Sequence, residues 1–184
     1  MTNSDNGKLS FKFIKGRFTT GPHRISIEGL DGVGKTSILN EIMRQTNYGI
    51  VIVDRDAAGF ATYDEVARHY NDPVSSWLSD MQEQARCSLT VYIESDEDIA
   101  IQRIESRGNG DHWPENYIDY EKAQDIYKDR IKEIELFGGS VYYVNNSGNN
   151  QKDIETIARF IIIQYEALRS QNNEPIRTRN RGIK

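Results

Sequence analysis

Residues 24–42 read RISIEGLDGVGKTSILNEI, and the middle of this stretch fits the pattern G-x-x-x-x-G-K-[ST] at residues 29–36. The apolar residues that alternate before the pattern predict a strand, and a helical pattern begins at Lys35. Gly29, Gly32 and Gly34 allow backbone conformations that other residues avoid, so successive amide groups can point to one place. The order of strand, loop and helix therefore predicts a loop that binds a polyphosphate with its amides and with a helix amino end.

The same motif suggests a role for individual residues. Lys35 is expected to contact the β- and γ-phosphates as a point charge, and Thr36 is expected to bind Mg²⁺ through its hydroxyl. The predicted nucleotide-binding residues are Gly29, Gly32, Val33, Gly34, Lys35, Thr36 and Ser37. The expected cofactors are ATP and Mg²⁺.

Apolar, β-branched runs alternate with helical patterns along the chain. The predicted strands are 24–29, 49–56, 88–95 and 140–147. The predicted helical stretches are 35–44, 63–87 with a break near Pro73, 96–107 with Ser95 as its cap, 120–137 and 151–170. This alternation predicts an α/β three-layer sandwich with a mostly parallel sheet of four or five strands. The motif at 29–36 makes the expected fold that of a P-loop NTPase, and a resemblance carried by three segments of the chain implies the nucleotide kinase-like type. Ligands in such a fold bind at the carboxyl ends of the strands.

Composition limits the class of protein. No run approaches the roughly 18 apolar residues that a membrane span needs, and the first ten residues do not resemble a secretory signal. We therefore expect a cytoplasmic protein without a membrane partner. A single cysteine, Cys87, excludes an internal disulfide, and His23, His69 and His112 are too dispersed in sequence to indicate a metal site.

Charge divides the chain into three parts. Residues 1–24 and residues 169–184 each hold five Lys or Arg residues against one acidic residue, whereas the whole chain has a net charge of −5. The predicted divisions are a basic N-terminal tail or extra strand at 1–22, a P-loop domain at 23–170 and a basic C-terminal tail at 171–184. Basic tails can bind a nucleic acid backbone through counterion release, although such tails are more often solvated chain ends.

The strand after the P-loop helix ends in the charged residues DRD. Asp54 can hold Mg²⁺ through water or accept a proton, and Arg55 can contact a phosphate of either substrate. Asp31, Asp54 and Asp56 all lie near predicted strand ends, so each is a candidate base if the acceptor is an alcohol. The sequence contains no N-K-x-D guanine signature, which disfavours a switch GTPase.

Three segments, SIEGLDGVGKT, VIVDR and LTVYIESDEDIAIQRIESRG, together resemble the thymidylate kinase and deoxynucleoside kinase branch of the P-loop kinases. The similarity covers roughly residues 24–168. It implies that Arg103 and Arg107, which share a helical face, belong to a lid around 103–117 and stabilise the transferring phosphoryl group. It also implies that Asp31 faces the sugar of the acceptor. The resemblance thus implies an ATP-dependent kinase with a deoxynucleotide or deoxynucleoside acceptor.

The chain also departs from that family. Only QTNYG (45–49) separates the P-loop helix from the next strand, so the usual acceptor-binding segment is missing. Phe60, Tyr63 and Tyr70 can supply a stacking surface, although aromatic residues near a helix also suit a core.

Two other functions stay open at this point. The first is a kinase that phosphorylates a hydroxyl in nucleic acid, because some phage kinases of this type act on 5-hydroxymethyluracil within DNA. The second is a non-catalytic nucleotide-binding module. The sequence also leaves open whether the protein is a monomer or a homodimer.

Overall fold

A computed structural model of the chain describes residues 9–18, 21–67, 77–107, 120–148 and 150–170. Its strands are β1 (Ser10–Ile14), β2 (Arg24–Glu28), β3 (Ile52–Asp54), β4 (Ser88–Glu94) and β5 (Ser140–Asn145). Its helices are α1 (Lys35–Gln45), α2 (Ala57–Ala67), α3 (Leu78–Cys87), α4 (Glu97–Ser106), α5 (Tyr120–Leu136) and α6 (Gln151–Ser170).

The five strands of the described chain form one sheet in the order β1-β5-β4-β2-β3. Strands β3, β2, β4 and β5 are parallel, and β1 pairs antiparallel with β5 at the edge. In the parallel register, Ile27 of β2 lies between Asp54 of β3 and Val91 of β4. The P-loop strand β2 is therefore inside the sheet, and its carboxyl end is flanked by the ends of β3 and β4.

Helices cover the sheet in two groups, which completes the three layers. Helices α1 and α6 pack together, whereas α2, α3 and α5 pack against one another. Ile25 and Ile27 of β2 and Leu89 of β4 have no exposed surface. Each such side chain contributes about 1.5–3 kcal/mol to stability through burial. The predicted α/β sandwich with a mostly parallel sheet of four or five strands is confirmed.

Three local predictions are wrong. Helix α2 begins at Ala57 rather than at residue 63, because Asp56 Oδ1 and Gln84 Oε1 accept hydrogen bonds from the first amides of the helix. Strand β3 covers only Ile52–Asp54 of the predicted 49–56, because Arg55 has a φ of 65° and turns the chain. The N-cap of α4 is Asp96, without a side-chain bond, rather than Ser95.

Several predictions fall on residues that the structure does not describe. They concern residues 1–8 and 171–184 of the basic tails, residues 108–117 of the lid, and the side chains of His69, Tyr70 and His112. Within the described residues, none of the helices has the length and apolarity required to cross a bilayer.

Candidate functional site

The loop between β2 and α1 is shaped by three glycines with positive φ angles. Gly29, Gly32 and Gly34 have φ values of 139°, 82° and 93°, which side chains on L-residues disfavour. A Cβ atom on Gly32 would lie 2.3 Å from the backbone oxygen of Ala100, so this position also has no room for a side chain. The glycines therefore fix a loop path that other residues could not follow.

The carbonyl groups of this loop all bind protein donors. Lys35 Nζ donates to the oxygens of Gly29 (2.8 Å) and Leu30 (2.7 Å), Tyr120 Oη to Asp31 (3.1 Å), Arg103 Nη1 to Gly32 (3.3 Å), Asn146 Nδ2 to Val33 (2.8 Å) and the Ile38 amide to Gly34 (3.2 Å). Among the described residues, by contrast, no protein acceptor binds the amides of residues 32–36. The loop thus presents free amides, which is the arrangement of an anion nest.

A cavity of about 410 Å³, which we call the main cavity of the site, adjoins these amides. It brings together eight predicted site residues, namely Asp31, Gly32, Gly34, Lys35, Thr36, Asp54, Arg55 and Arg107. A second cavity of about 310 Å³ is lined by Ser37, Arg103 and Arg107, together with residues that follow β5. Gly34 and Arg107 line both cavities, so the two meet at the loop.

Lys35 is the first residue of α1, and its side chain is buried, with 7% of its surface exposed. Burial lowers the pKa of Lys35, and the nearby Asp31 carboxylate opposes that shift. Asp31 Oδ1 lies 3.7 Å from Nζ, beyond direct hydrogen-bonding distance. A phosphate bound to the loop amides would supply the close anionic partner that the ammonium group lacks among the described residues.

Arg55, Asp31 and Tyr63 form a compact polar group at one wall of the main cavity. Arg55 Nη2 donates to Asp31 Oδ1 at 2.8 Å, and Tyr63 Oη donates to Asp31 Oδ2 at 3.0 Å. The Arg55 guanidinium lies 4.1 Å from the centre of the Tyr63 ring. Its Nε atom is buried without a hydrogen-bond partner among the described residues. Asp31 and Arg55 therefore neutralise each other through the bond from Nη2.

The predicted metal ligands Thr36 and Asp54 line the same cavity, and both are exposed. Within the part of the chain that is described, no cluster of three His, Cys, Asp or Glu side chains could hold an ion alone. Mg²⁺ usually binds one or two protein oxygens and takes its other ligands from phosphates and water. One hydroxyl and one carboxylate beside an anion nest fit that pattern.

The three aspartates that were candidate bases have different environments. Asp31 and Asp54 line the main cavity, whereas Asp56 is not among its lining residues. Asp56 Oδ2 accepts hydrogen bonds from Arg24 and Ser26, and Asp56 Oδ1 accepts the Ala57 amide. The contacts of Asp56 thus hold the start of α2 against β2.

Arg103 lies against the outer side of the loop. Its Nη1 atom donates to the oxygen of Gly32 at 3.3 Å, and its Nη2 atom donates to the oxygens of Asn146 (3.1 Å) and Gly148 (2.6 Å). These bonds connect the P-loop, α4 and the segment after β5. A contact of Arg103 or Arg107 with the transferring phosphoryl group stays a prediction.

The sequence analysis missed Glu28, the residue immediately before the loop. Glu28 is fully buried and accepts hydrogen bonds from Tyr127 Oη (2.6 Å), Gln84 Nε2 (2.8 Å) and the Asp56 amide (3.1 Å). Burial raises the pKa of Glu28 to about 7, against the opposing effect of these hydrogen bonds. An acidic residue at the end of a strand predicted to be buried is a signal that could have identified it.

Asn146 and Tyr120 were also missed, because each acts through a bond to a loop carbonyl. Asn146 Nδ2 donates to Val33, and Tyr120 Oη donates to Asp31. Neither pairing could be read from the sequence, since the partners are separated by 113 and 89 residues.

No protein-family model matches the chain, and no curated protein matches it either. Among solved structures, the chain is similar to the YorR protein from Bacillus subtilis, which was crystallised in complex with phosphorylated GDP. The TM-score is 0.54 at 18% sequence identity, and the match covers 77% of this chain and 95% of YorR. The likeness shows that the two chains share a fold, and in YorR this fold binds a nucleotide.

Proposed function

We propose that this chain is an ATP-dependent kinase that transfers the γ-phosphoryl group to a deoxynucleotide or deoxynucleoside. The observation that carries the proposal is the orientation of the P-loop, whose carbonyls bind protein donors while its amides 32–36 have no protein acceptor among the described residues. Phosphoryl transfer depends mainly on positioning and on stabilisation of charge, and amides held in place supply both.

Five charged or polar residues of the main cavity have a direct role in the transfer. Lys35 exchanges the carbonyls of Gly29 and Leu30 for the phosphate chain, while Thr36 and Asp54 would hold Mg²⁺, which would supply positive charge to the phosphates when bound. Arg55 and Arg107 stabilise the charge on the moving group.

The chemical group that accepts the phosphoryl group decides whether the enzyme needs a general base. With an alcohol acceptor, the hydroxyl proton passes to the carboxylate of Asp31 or Asp54 as the new P–O bond forms and ADP leaves. With a monophosphate acceptor, the attacking oxygen carries its own charge and needs no base.

The test offers radiolabelled ATP with free deoxynucleoside monophosphates, deoxynucleosides, plain DNA and hydroxymethylated DNA in parallel. We expect label in one of the first two, and a loss of about 10²-fold or more in Lys35→Ala. Lys132→Ala is the matched control, since Lys132 is exposed on α5 and pairs only locally with Asp129. Nucleotide binding without transfer to any acceptor would contradict the proposal and favour a non-catalytic module.

A hydroxyl within nucleic acid is the second candidate acceptor. Strand β1 is antiparallel to β5 and places Ser10 opposite Asn145, next to the Asn146 that contacts the P-loop. Strand β1 therefore begins at the edge of the sheet that holds the site. Helix α6 ends at the other edge, where Tyr165 Oη donates to the oxygen of His23.

Two truncations test this second candidate. If the acceptor is nucleic acid, deletion of residues 1–8, which hold one Lys and one Asp, should lower transfer to the polymer with little change in its salt dependence. Deletion of residues 171–184, which hold four Lys or Arg residues against one Glu, should weaken the salt dependence and change the transfer itself less. Equal turnover of free nucleosides by all three proteins, with no transfer to polymer, would exclude this candidate.

A further inference from the structure

Phe60 is an apolar side chain in a cavity whose other side chains are polar. Half of its surface is exposed, and it lines the main cavity beside Lys35, Asp54 and Arg55. Single exposed apolar residues are common on protein surfaces and need no explanation by themselves. The position of Phe60 inside the proposed reaction cavity is what sets it apart.

Phe60 belongs to a supported aromatic stack. Its ring stacks on Trp77, with 5.8 Å between centroids and an interplanar angle of 19°. Trp77 is itself held by a hydrogen bond from Nε1 to Asp64 Oδ2 at 3.2 Å, and Asp64 lies one turn after Phe60 on α2. One face of the Phe60 ring is therefore backed by protein, whereas half of the side chain remains exposed.

The helix that carries this ring is tightly fixed. The amides of Asp56 and Ala58 at its start bind the buried side chains of Glu28 and Gln84. A Cβ atom on Gly59 would lie 2.5 Å from Tyr127 Oη, so α2 approaches α5 closely at the residue before Phe60. Tyr63, three residues after Phe60, is covered by Arg55 at 4.1 Å. The helix thus presents one ring paired with a cation and one ring that is half exposed.

We propose that Phe60 is the surface on which the nucleobase of the acceptor stacks, with Trp77 supporting it. A nucleobase fits because it presents a flat aromatic face to the exposed ring, while Lys35, Asp54 and Arg55 in the same cavity stay available for the phosphoryl transfer. Every base has such a face, so the contact tolerates different bases. The inference deepens the proposed function and rests on it for the reaction, whereas base binding can be measured without any phosphoryl transfer.

The test uses the fluorescence of a tryptophan placed at the proposed contact. The chain has two tryptophans, Trp77 and Trp113. The triple variant Phe60→Trp, Trp77→Phe, Trp113→Phe keeps an aromatic pair and leaves one tryptophan at the cavity. With the donor site saturated by MgADP, thymidine and deoxyguanosine should each quench its fluorescence saturably, and deoxyribose 5-phosphate, which lacks a base, should not. Absence of quenching by both nucleosides would overturn the inference.

Affinity measurements on single variants complete the test. Phe60→Ala should weaken thymidine binding by about 5- to 150-fold, since stacking on an aromatic ring contributes about 1–3 kcal/mol per base. Phe60→Tyr keeps the ring and should bind as the wild type does, whereas Phe60→Leu, which preserves the apolar surface, should lose part of the affinity. Phe160→Ala is the matched control, because Phe160 is a partly exposed phenylalanine on α6 and does not line the main cavity.

The two proposals fail in different ways. If phosphoryl transfer occurs but Phe60→Ala leaves the acceptor KM and the thymidine affinity unchanged, the stacking inference is wrong and the kinase proposal stands. If thymidine binds through Phe60 but no acceptor is ever phosphorylated, the kinase proposal fails and the base-binding surface stands.

Discussion

The buried carboxyl of Glu28 makes a prediction about stability that can be worked out from the structure. Burial raises its pKa from 4.5 to about 7, so the folded chain retains a proton that the unfolded chain releases. The free energy of unfolding therefore decreases as the pH rises from about 4.5 to about 7, and it is unaffected by this group above that range. With 1.36 kcal/mol for each pKa unit, the contribution of Glu28 amounts to about 3 kcal/mol.

Glu28→Gln removes this titration and keeps the shape of the side chain. The glutamine oxygen can accept from Gln84 and from the Asp56 amide, while its amide group donates to Tyr127, which then accepts. Asp56, Tyr127 and Lys35 are the other titratable groups that interact with Glu28, and they are present in both proteins. Their own titration therefore largely cancels when the two proteins are compared at each pH.

Urea unfolding of both proteins between pH 5 and pH 8 measures the effect. The stability of Glu28→Gln relative to the wild type should increase by about 3 kcal/mol from pH 5 to pH 8, which corresponds to roughly 6–12 °C in Tm. Glu105→Gln, at an exposed glutamate of α4, is the control and should show no such change. A difference between wild type and Glu28→Gln that does not depend on pH would refute the reasoning.

Three further predictions concern the P-loop and its supports. Gly34→Ala should weaken MgADP binding at least 10-fold by calorimetry, because its Cβ would lie 2.6 Å from Asn146 Nδ2 at a φ of 93°; a wild-type Kd would contradict this. Asn146→Ala should lower the free energy of unfolding in urea by about 1–3 kcal/mol, because the Val33 oxygen loses its donor. The same change should make an added Gly34→Ala less harmful to MgADP binding, because it removes the side chain that the new Cβ would approach. Strict additivity of the two changes would contradict this contact between residues 34 and 146. Arg103→Lys should lower the Tm, because a lysine cannot keep all three bonds to the Gly32, Asn146 and Gly148 oxygens, and each kcal/mol lost corresponds to about 2–4 °C. Arg107→Ala should instead lower kcat with little change in Tm. The opposite pattern would reverse the roles given to the two arginines.

Local patterns were sufficient to predict the P-loop and the sheet. The glycine spacing of residues 29–36 dictates a strand, a turn and a helix with little help from the rest of the chain. The predicted helix 151–170 has the bounds of α6, because an amphipathic pattern of that length has few alternatives. The predicted strand 88–95 differs from β4 by one residue at its end, and β4 is buried on both faces from Ser88 to Ile93.

Long-range contacts explain what the sequence could not predict. The start of α2 depends on Gln84 and Glu28, which lie 26 and 28 residues away from the amides that they bind. The spacing of Arg103 and Arg107 placed both on one helical face, but it could not indicate that Arg103 would bind three carbonyls on two separate segments. Hydrogen-bond partners of this kind become visible only when the chain is folded.

The amides of residues 32–36 are expected to bind a phosphate chain, and amide NMR tests this central claim most directly. MgADP added to ¹⁵N-labelled protein should shift the signals of Gly32, Gly34, Lys35 and Thr36 more than those of the rest of the chain, and Gly34→Ala should weaken the response. Saturable MgADP binding that leaves these four amide signals unchanged would contradict the claim.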